Sequence, residues 1–164
     1  DRLLELSKLE QRQSLTAAAP TSLRECAEVA IAEAQGRARL KNVRITLQGD
    51  GASGPFEAAL VALAIGNLLD NAIDFSPFGS TVRVDLAGSR LTVTDAGPGV
   101  PDYALPRLGE RFFSTPRPNG ERTGSGLGLA IVRQIMALHH GTLHVANLAP
   151  AAGPGMRAEL MFPS

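Results

Sequence analysis

The chain has 164 residues, 44% of them hydrophobic, which suffices for one packed domain with a site at its edge. Lys plus Arg and Asp plus Glu both number 16, so no net field draws the chain to nucleic acid or an anionic membrane, and any bound phosphate has to be held locally. Cys26 is the only cysteine, which excludes an internal disulfide and a cysteine-based zinc site and fits a reducing, cytoplasmic compartment.

No uninterrupted apolar run approaches the roughly 18–20 residues that cross a bilayer, and Asp1-Arg2-Leu3-Leu4-Glu5 lacks the basic-then-apolar order of a signal peptide. Direct membrane contact is therefore not expected. The chain opens without Met and inside a helical pattern, as a piece of a longer protein would. Leu3, Leu6 and Leu9 recur between charged residues as a short amphipathic helix that needs something to pack on. After Pro20, Ser22 followed by Glu25 is a capping-box signature for a helix burying Leu23, Cys26, Ala30, Ile31 and Ala34 and ending near Gly36. Val43, Ile45 and Leu47 alternate as a strand, and residues 49–54 read as a loop before a helix that Pro55 can open.

From Ala58 to Gly66 every residue is small or apolar, which predicts a helix buried nearly all round. Val82, Val84 and Leu86, then Leu91 and Val93, predict a hairpin turning at Gly88-Ser89. The Pro- and Gly-rich stretch from about 96 to 125 reads as a long functional loop. A helix from about Leu127 to His139 and two closing strands, 142–145 and 156–162, complete the chain. Three helices interleaved with hairpin-connected strands give an α/β fold, a two-layer sandwich with a mixed sheet and the three main helices on one face.

Asn67, Asp70, Asn71 and Asp74 sit at i, i+3, i+4 and i+7, one face of a helix, directly after the apolar run. That stripe suits a solvent face equally well, but buried amides and carboxylates need partners, and a ligand with Mg²⁺ supplies them. Asp95-Ala96-Gly97-Pro98-Gly99, with Val100 directly after, follows a strand; its acid can accept from a ligand amino group and its glycines let backbone approach a flat ring. Thr123-Gly124-Ser125-Gly126-Leu127-Gly128-Leu129 leads into a helix, where free N–H groups favour phosphate. A P-loop is absent, and Leu129 stands where a dinucleotide fingerprint needs its third glycine.

In this order the segments resemble the catalytic and ATP-binding domain of sensor histidine kinases, in the superfamily shared with gyrase, Hsp90 and MutL, whose ATP-binding fold is of the Bergerat type. The run from Asn67 to Pro77 resembles the N box, which implies Mg²⁺ on Asn71, adenine against Phe75, and Asp74 among the ATP-binding positions. Residues 95–99 resemble the G1 box, whose aspartate reads the adenine amino group; Arg111-Phe112-Phe113 resembles the F box, residues 124–129 the G2 box, and about 100–125 the ATP lid.

Many members carry Lys where Asp74 stands and Arg where Ser114 stands, both on the phosphates, leaving Arg117, Arg122 or Ser125 as substitutes. Hydrolases of the superfamily carry a general-base glutamate where this chain has Asn67; an amide cannot take that proton, which favours a kinase and makes Asn67 the one candidate catalytic position.

The resemblance implies that residues 1–13 end the dimerisation and phosphoacceptor helix and that 14–164 form the catalytic domain. It further implies MgATP as substrate, homodimerisation through the preceding domain, and a response regulator as downstream partner, within a parent whose anchoring in the inner membrane is left open. His139, His140 and His144 read as surface or capping residues rather than acceptors. Two rivals share the pocket: an anti-sigma-type serine kinase, which has no need of the leading leucine helix, and a nucleotide-sensing interaction module without transfer activity.

Overall fold

The computed structural model describes residues 1–16, 19–115 and 126–163. In chain order the elements are α1 (Arg2–Gln11), β1 (Thr21–Ser22), α2 (Leu23–Leu40), β2 (Arg44–Gly51), β3 (Ser53–Gly54), α3 (Ala58–Phe75), β4 (Thr81–Gly88), β5 (Arg90–Thr94), α4 (Gly128–Leu138), β6 (Thr142–Asn147) and β7 (Met156–Met161). Five strands make one sheet in the order β2-β4-β5-β7-β6, with β2 parallel to β4 and the other neighbours antiparallel. Helices α2, α3 and α4 lie on one face, where they enclose Val82, Val84, Leu86, Leu91, Val93 and Leu160. This is the mixed α/β sandwich expected.

Two boundaries differ from expectation. Helix α2 passes Gly36 and stops at Leu40, because Ala34 and Ala38 continue the buried stripe and Gly36 is exposed, where a missing side chain costs little packing. The expected loop at 49–54 is mostly strand, since β2 stays in register with β4 through Gly49↔Leu86, Asp50↔Ala87 and Gly51↔Gly88. A Cβ on Gly49 would come within 2.0 Å of the Leu86 carbonyl oxygen, so the glycine permits the pairing. The capping serine is as expected: Ser22 Oγ accepts from the N–H groups of Arg24 (3.1 Å) and Glu25 (3.4 Å).

Helix α3 is 18 residues long with mean hydropathy 1.4, enough by length and composition to cross a membrane. It is instead the central helix of the layer, between α2 and α4, with Val61, Ala64, Ile65, Leu68, Leu69 and Ile73 buried. Lys41 Nζ donates to the Ile73 and Asp74 carbonyls at 2.9 and 3.1 Å, placing a cation on the negative end of the helix. Helix α1 is a fourth helix outside this layer; Leu6 and Leu9 bury themselves against α4.

A polar chain fastens α1 to both α3 and α4. Arg12 donates to both carboxylate oxygens of Glu57, at 2.7 Å for Nη1–Oε2, and Thr16 adds its N–H and hydroxyl at 2.9 Å each. The Arg12 hydrogen bond leads these contacts in holding the Glu57 carboxyl down at about 2. The Glu57 N–H donates to His139 Nε2 at 3.1 Å, and the opposite ring nitrogen then donates to the Ile135 carbonyl at 2.8 Å. His139 therefore does cap helix ends, but from inside the protein: it is 5% exposed, between Phe56 and Phe162.

Burial lowers the His139 pKa below its ordinary 6.5. As pH falls the unfolded chain takes the proton first, so the stabilisation is complete above 6.5 and is lost as pH drops through the depressed folded value. The stability advantage of the wild type over His139→Gln, from urea midpoints, is expected to hold from about pH 7.5 down to about 6.5 and to shrink as pH falls further toward about 5.

Candidate active site

Strand β5 ends at Thr94 and delivers Asp95 to a cleft of about 740 Å³, partly open to solvent, between α3 and α4 and floored by Val93, Val145, Met156 and Ala158 of the sheet. Asp95 is 9% exposed. Its Oδ1 accepts from the Gly97 N–H (2.9 Å) and the Met156 N–H (3.2 Å), while Oδ2 makes no hydrogen bond among the described residues. Burial pushes its pKa up to about 6, against the pull of those two N–H groups. A carboxylate at the edge of an apolar slot, with one oxygen committed and one open, is an acceptor awaiting a donor.

The following turn is held from two sides. A Cβ on Gly97 would lie 2.4 Å from the Phe75 carbonyl oxygen, so the turn rests against the end of α3. Gly99, at φ +75°, and Val100 are gripped by Asn147, whose Oδ1 accepts from the Val100 N–H (2.9 Å) and whose Nδ2 donates to the Val100 carbonyl (2.8 Å). Asn147 was not among the expected site residues. Asparagine is poorly suited to strands, and one ending β6 was the available signal.

Val100, Ala104 and Leu108 form a small second core against Leu129, Val145 and Phe113, and the Arg107 guanidinium lies 4.3 Å over the Phe113 ring. Of the two expected phenylalanines, Phe113 lines the cleft, whereas Phe112 turns outward, 64% exposed at φ +63°. The Phe112 N–H donates to the Gly126 carbonyl at 2.9 Å, and a Cβ on Gly126 would meet the Phe112 carbonyl carbon at 2.3 Å. Only glycine fits there.

The polar stripe of α3 divides. Asn71 and Phe75 line the cleft. Asn67, 5% exposed, donates to the Leu63 carbonyl at 2.9 Å and borders a neighbouring hollow. Asp70 and Asp74 face α2, where Arg37 reaches them at 2.7 and 3.0 Å; Asp74 is thus turned away from the cleft. Burial, opposed by Arg37 and Arg2, raises the Asp70 pKa. Gly126, Gly128 and Leu129 border the cleft, and Leu127 belongs to the main core. Thr123, Gly124 and Ser125, with Arg117 and Arg122, lie outside the described residues.

Among the described residues no three His, Cys, Asp or Glu side chains converge on a metal-sized site. The cleft instead offers the Asn71 amide oxygen. Such a donor fits Mg²⁺, which takes one or two protein oxygens when phosphate and water complete its shell.

The chain is similar to known proteins in sequence and in fold. The family described as "Histidine kinase-, DNA gyrase B-, and HSP90-like ATPase" matches residues 57–164. Sensor protein QseC of Salmonella typhi is 42% identical over 152 residues, covering 91% of this chain and 33% of that protein, so the chain spans about a third of this relative's length. Among solved structures, a mycobacterial sensor histidine kinase, MprB, superposes with a TM-score of 0.71 at 30% identity over 88% of this chain and 96% of its own. The cytoplasmic segment of histidine kinase QseC gives 0.69 at 25% identity over 99% and 87%.

The clash at Gly97 yields a direct test. Gly97→Ala must push the turn off the Phe75 carbonyl and is expected to cost about 1–3 kcal/mol in urea denaturation.

Proposed function

The chain belongs to the histidine kinase-, DNA gyrase B- and HSP90-like ATPases, as a catalytic domain of the sensor histidine kinase type, and on that premise we propose that it binds MgATP in the Asp95 cleft and donates the γ-phosphate to a histidine of a dimerisation domain. The observation that carries this reading is Asp95 itself, a nearly buried carboxylate with one oxygen uncommitted among the described residues, which lines a slot together with Phe75, Val93, Val145 and Met156. An adenine ring fits apolar walls with one acceptor for its amino group.

In this reading Asp95 accepts from the adenine amino group, and Phe75 and Met156 flank the ring. Asn71 would hold Mg²⁺, whose chemistry when bound is to neutralise charge on the phosphates. The chain's own share of catalysis is positioning: the Gly97–Val100 turn fixes the base, and the glycines opening α4 let backbone N–H groups approach the triphosphate. Asn67, an amide already donating to the Leu63 carbonyl, cannot act as a general base toward water. That supports phosphotransfer over hydrolysis.

The same reading takes residues 1–13 as the end of the dimerisation helix and 14–164 as the catalytic domain, in a cytoplasmic, homodimeric kinase passing phosphate to a response regulator. One observation favours the rival of a nucleotide-sensing module: Asp74 and Ser114 stand where many members place phosphate-binding cations. Joining the chain to a dimerisation domain with its histidine separates the two. Radiolabel from γ-labelled ATP is expected on that histidine; tight ATP binding without label would establish the module.

Calorimetry tests the cleft. ATP is expected to bind and GTP not, with Asn71→Ala abolishing the Mg²⁺ dependence and Asp95→Asn weakening ATP at least tenfold. Because the Asp95 pKa is raised to about 6, the carboxyl is protonated below that pH and loses its free acceptor. ATP affinity should fall up to about tenfold per unit as pH drops below about 6, and Asp95→Asn should flatten the profile.

A further inference from the structure

Arg2 is the one cation among the described residues that line the cleft, and it comes from α1 rather than from either expected phosphate-binding position. Its Nη1 lies 3.1 Å from the point a Cβ on Gly128 would occupy, while Asn67 Oδ1 and Asn71 Oδ1 lie 3.3 and 4.0 Å from that same point. A guanidinium and two amide oxygens therefore converge on the space left by a glycine in the first turn of α4. That turn has no side-chain cap.

The present partner of Arg2 is Asp70, at 3.3 Å, with the Arg2 side chain 39% exposed. Asp70 is held more closely by Arg37, at 2.7 Å. Arg2 can thus leave Asp70 without stranding a half-buried carboxylate, since Arg37 still compensates it. A phosphate at the mouth of α4 offers a guanidinium two or three acceptor oxygens in place of one shared carboxylate.

We propose that Arg2 is a phosphate-binding residue, which exchanges Asp70 for the terminal phosphates of the nucleotide and so fastens α1 to the cleft when ATP is bound. The inference rests on the reading of the cleft as an ATP site and adds to it a source of positive charge among the described residues. It also assigns α1 a role in binding. The other end of α1 is tied to the F-box segment by the ion pair of Glu10 with Arg111, so the helix is anchored at Arg2 beside Gly128 and at Glu10 beside Arg111. Phosphate engagement by Arg2 would fasten the N-terminal end of α1, as the Glu10 and Arg12 ion pairs already fasten the other.

The test is calorimetric titration of the whole chain with MgATP and with adenosine, for wild type, Arg2→Ala and Arg2→Lys, paired with amide hydrogen exchange over α1. Arg2→Ala is expected to weaken ATP about tenfold while leaving adenosine unchanged, with Arg2→Lys between the two. ATP, but not adenosine, should slow exchange along α1 in the wild type and not in Arg2→Ala. Equal loss of ATP and adenosine affinity in Arg2→Ala would mean that Arg2 merely supports the fold, and an unchanged affinity for both that it faces no ligand; either overturns the proposal while leaving the ATP site intact. A wild type that binds neither molecule removes the site and this inference with it.

Discussion

Helix α3 is enclosed by α2, by α4 and by the sheet, so each polar residue along its length must find a partner within reach or face the cleft. Asp70 and Asp74 satisfy this requirement with Arg37 on one side, Asn67 turns back onto its own helix, and Asn71 opens into the cavity on the other. The remaining architecture follows from that division. The sheet floors the cleft from beneath, α4 begins with glycine where Asn67 and Asn71 come close, and the Asp95 turn abuts the last carbonyl of the same helix.

Asp95 shows how such a site is kept both buried and usable. Desolvation works against its charge, two backbone N–H groups work for it, and the balance leaves a carboxylate that titrates near 6. An amide there could keep Oδ1 as acceptor for the two backbone N–H groups but would lose the charge and turn the second oxygen into a donor. Local folding therefore uses one oxygen of this carboxylate, Oδ1 holding Gly97 and Met156 in place, and leaves Oδ2 without a hydrogen bond among the described residues.

Much of this was legible in residue order. The apolar run of α3 and its polar positions gave the helix and Asn71; alternation gave the β4–β5 hairpin; Asp95-x-Gly-x-Gly gave the turn. What escaped was whatever depends on distant segments. Asn147 reaches Val100 from 47 positions away, Arg2 meets Asp70 across 68, and β2 extends through Gly49 only because β4 lies beside it. Spacing along α3 placed Asp74 on the same face as Asn71, but it could not reveal that Arg37 would claim it. Likewise Arg111-Phe112-Phe113 did not disclose which ring turns inward, because that is decided by the positive φ of Phe112 and the close approach of Gly126.

Asn147 and Met156 carry a consequence for the order in which the molecule assembles. The Gly97–Val100 turn and the Asp95 carboxylate are both held by the last hairpin of the chain, so the cleft has no shape until β6 and β7 have joined the sheet. A ribosome delivers those two strands after the other three of the sheet, and the pairing of β7 with β5 closes a long stretch of chain, the slowest kind of contact to form. A domain without β6 and β7 therefore has its helices but no formed cleft. The cleft is complete only once β7 has paired with β5, and a ligand held there would stabilise the closure that formed it.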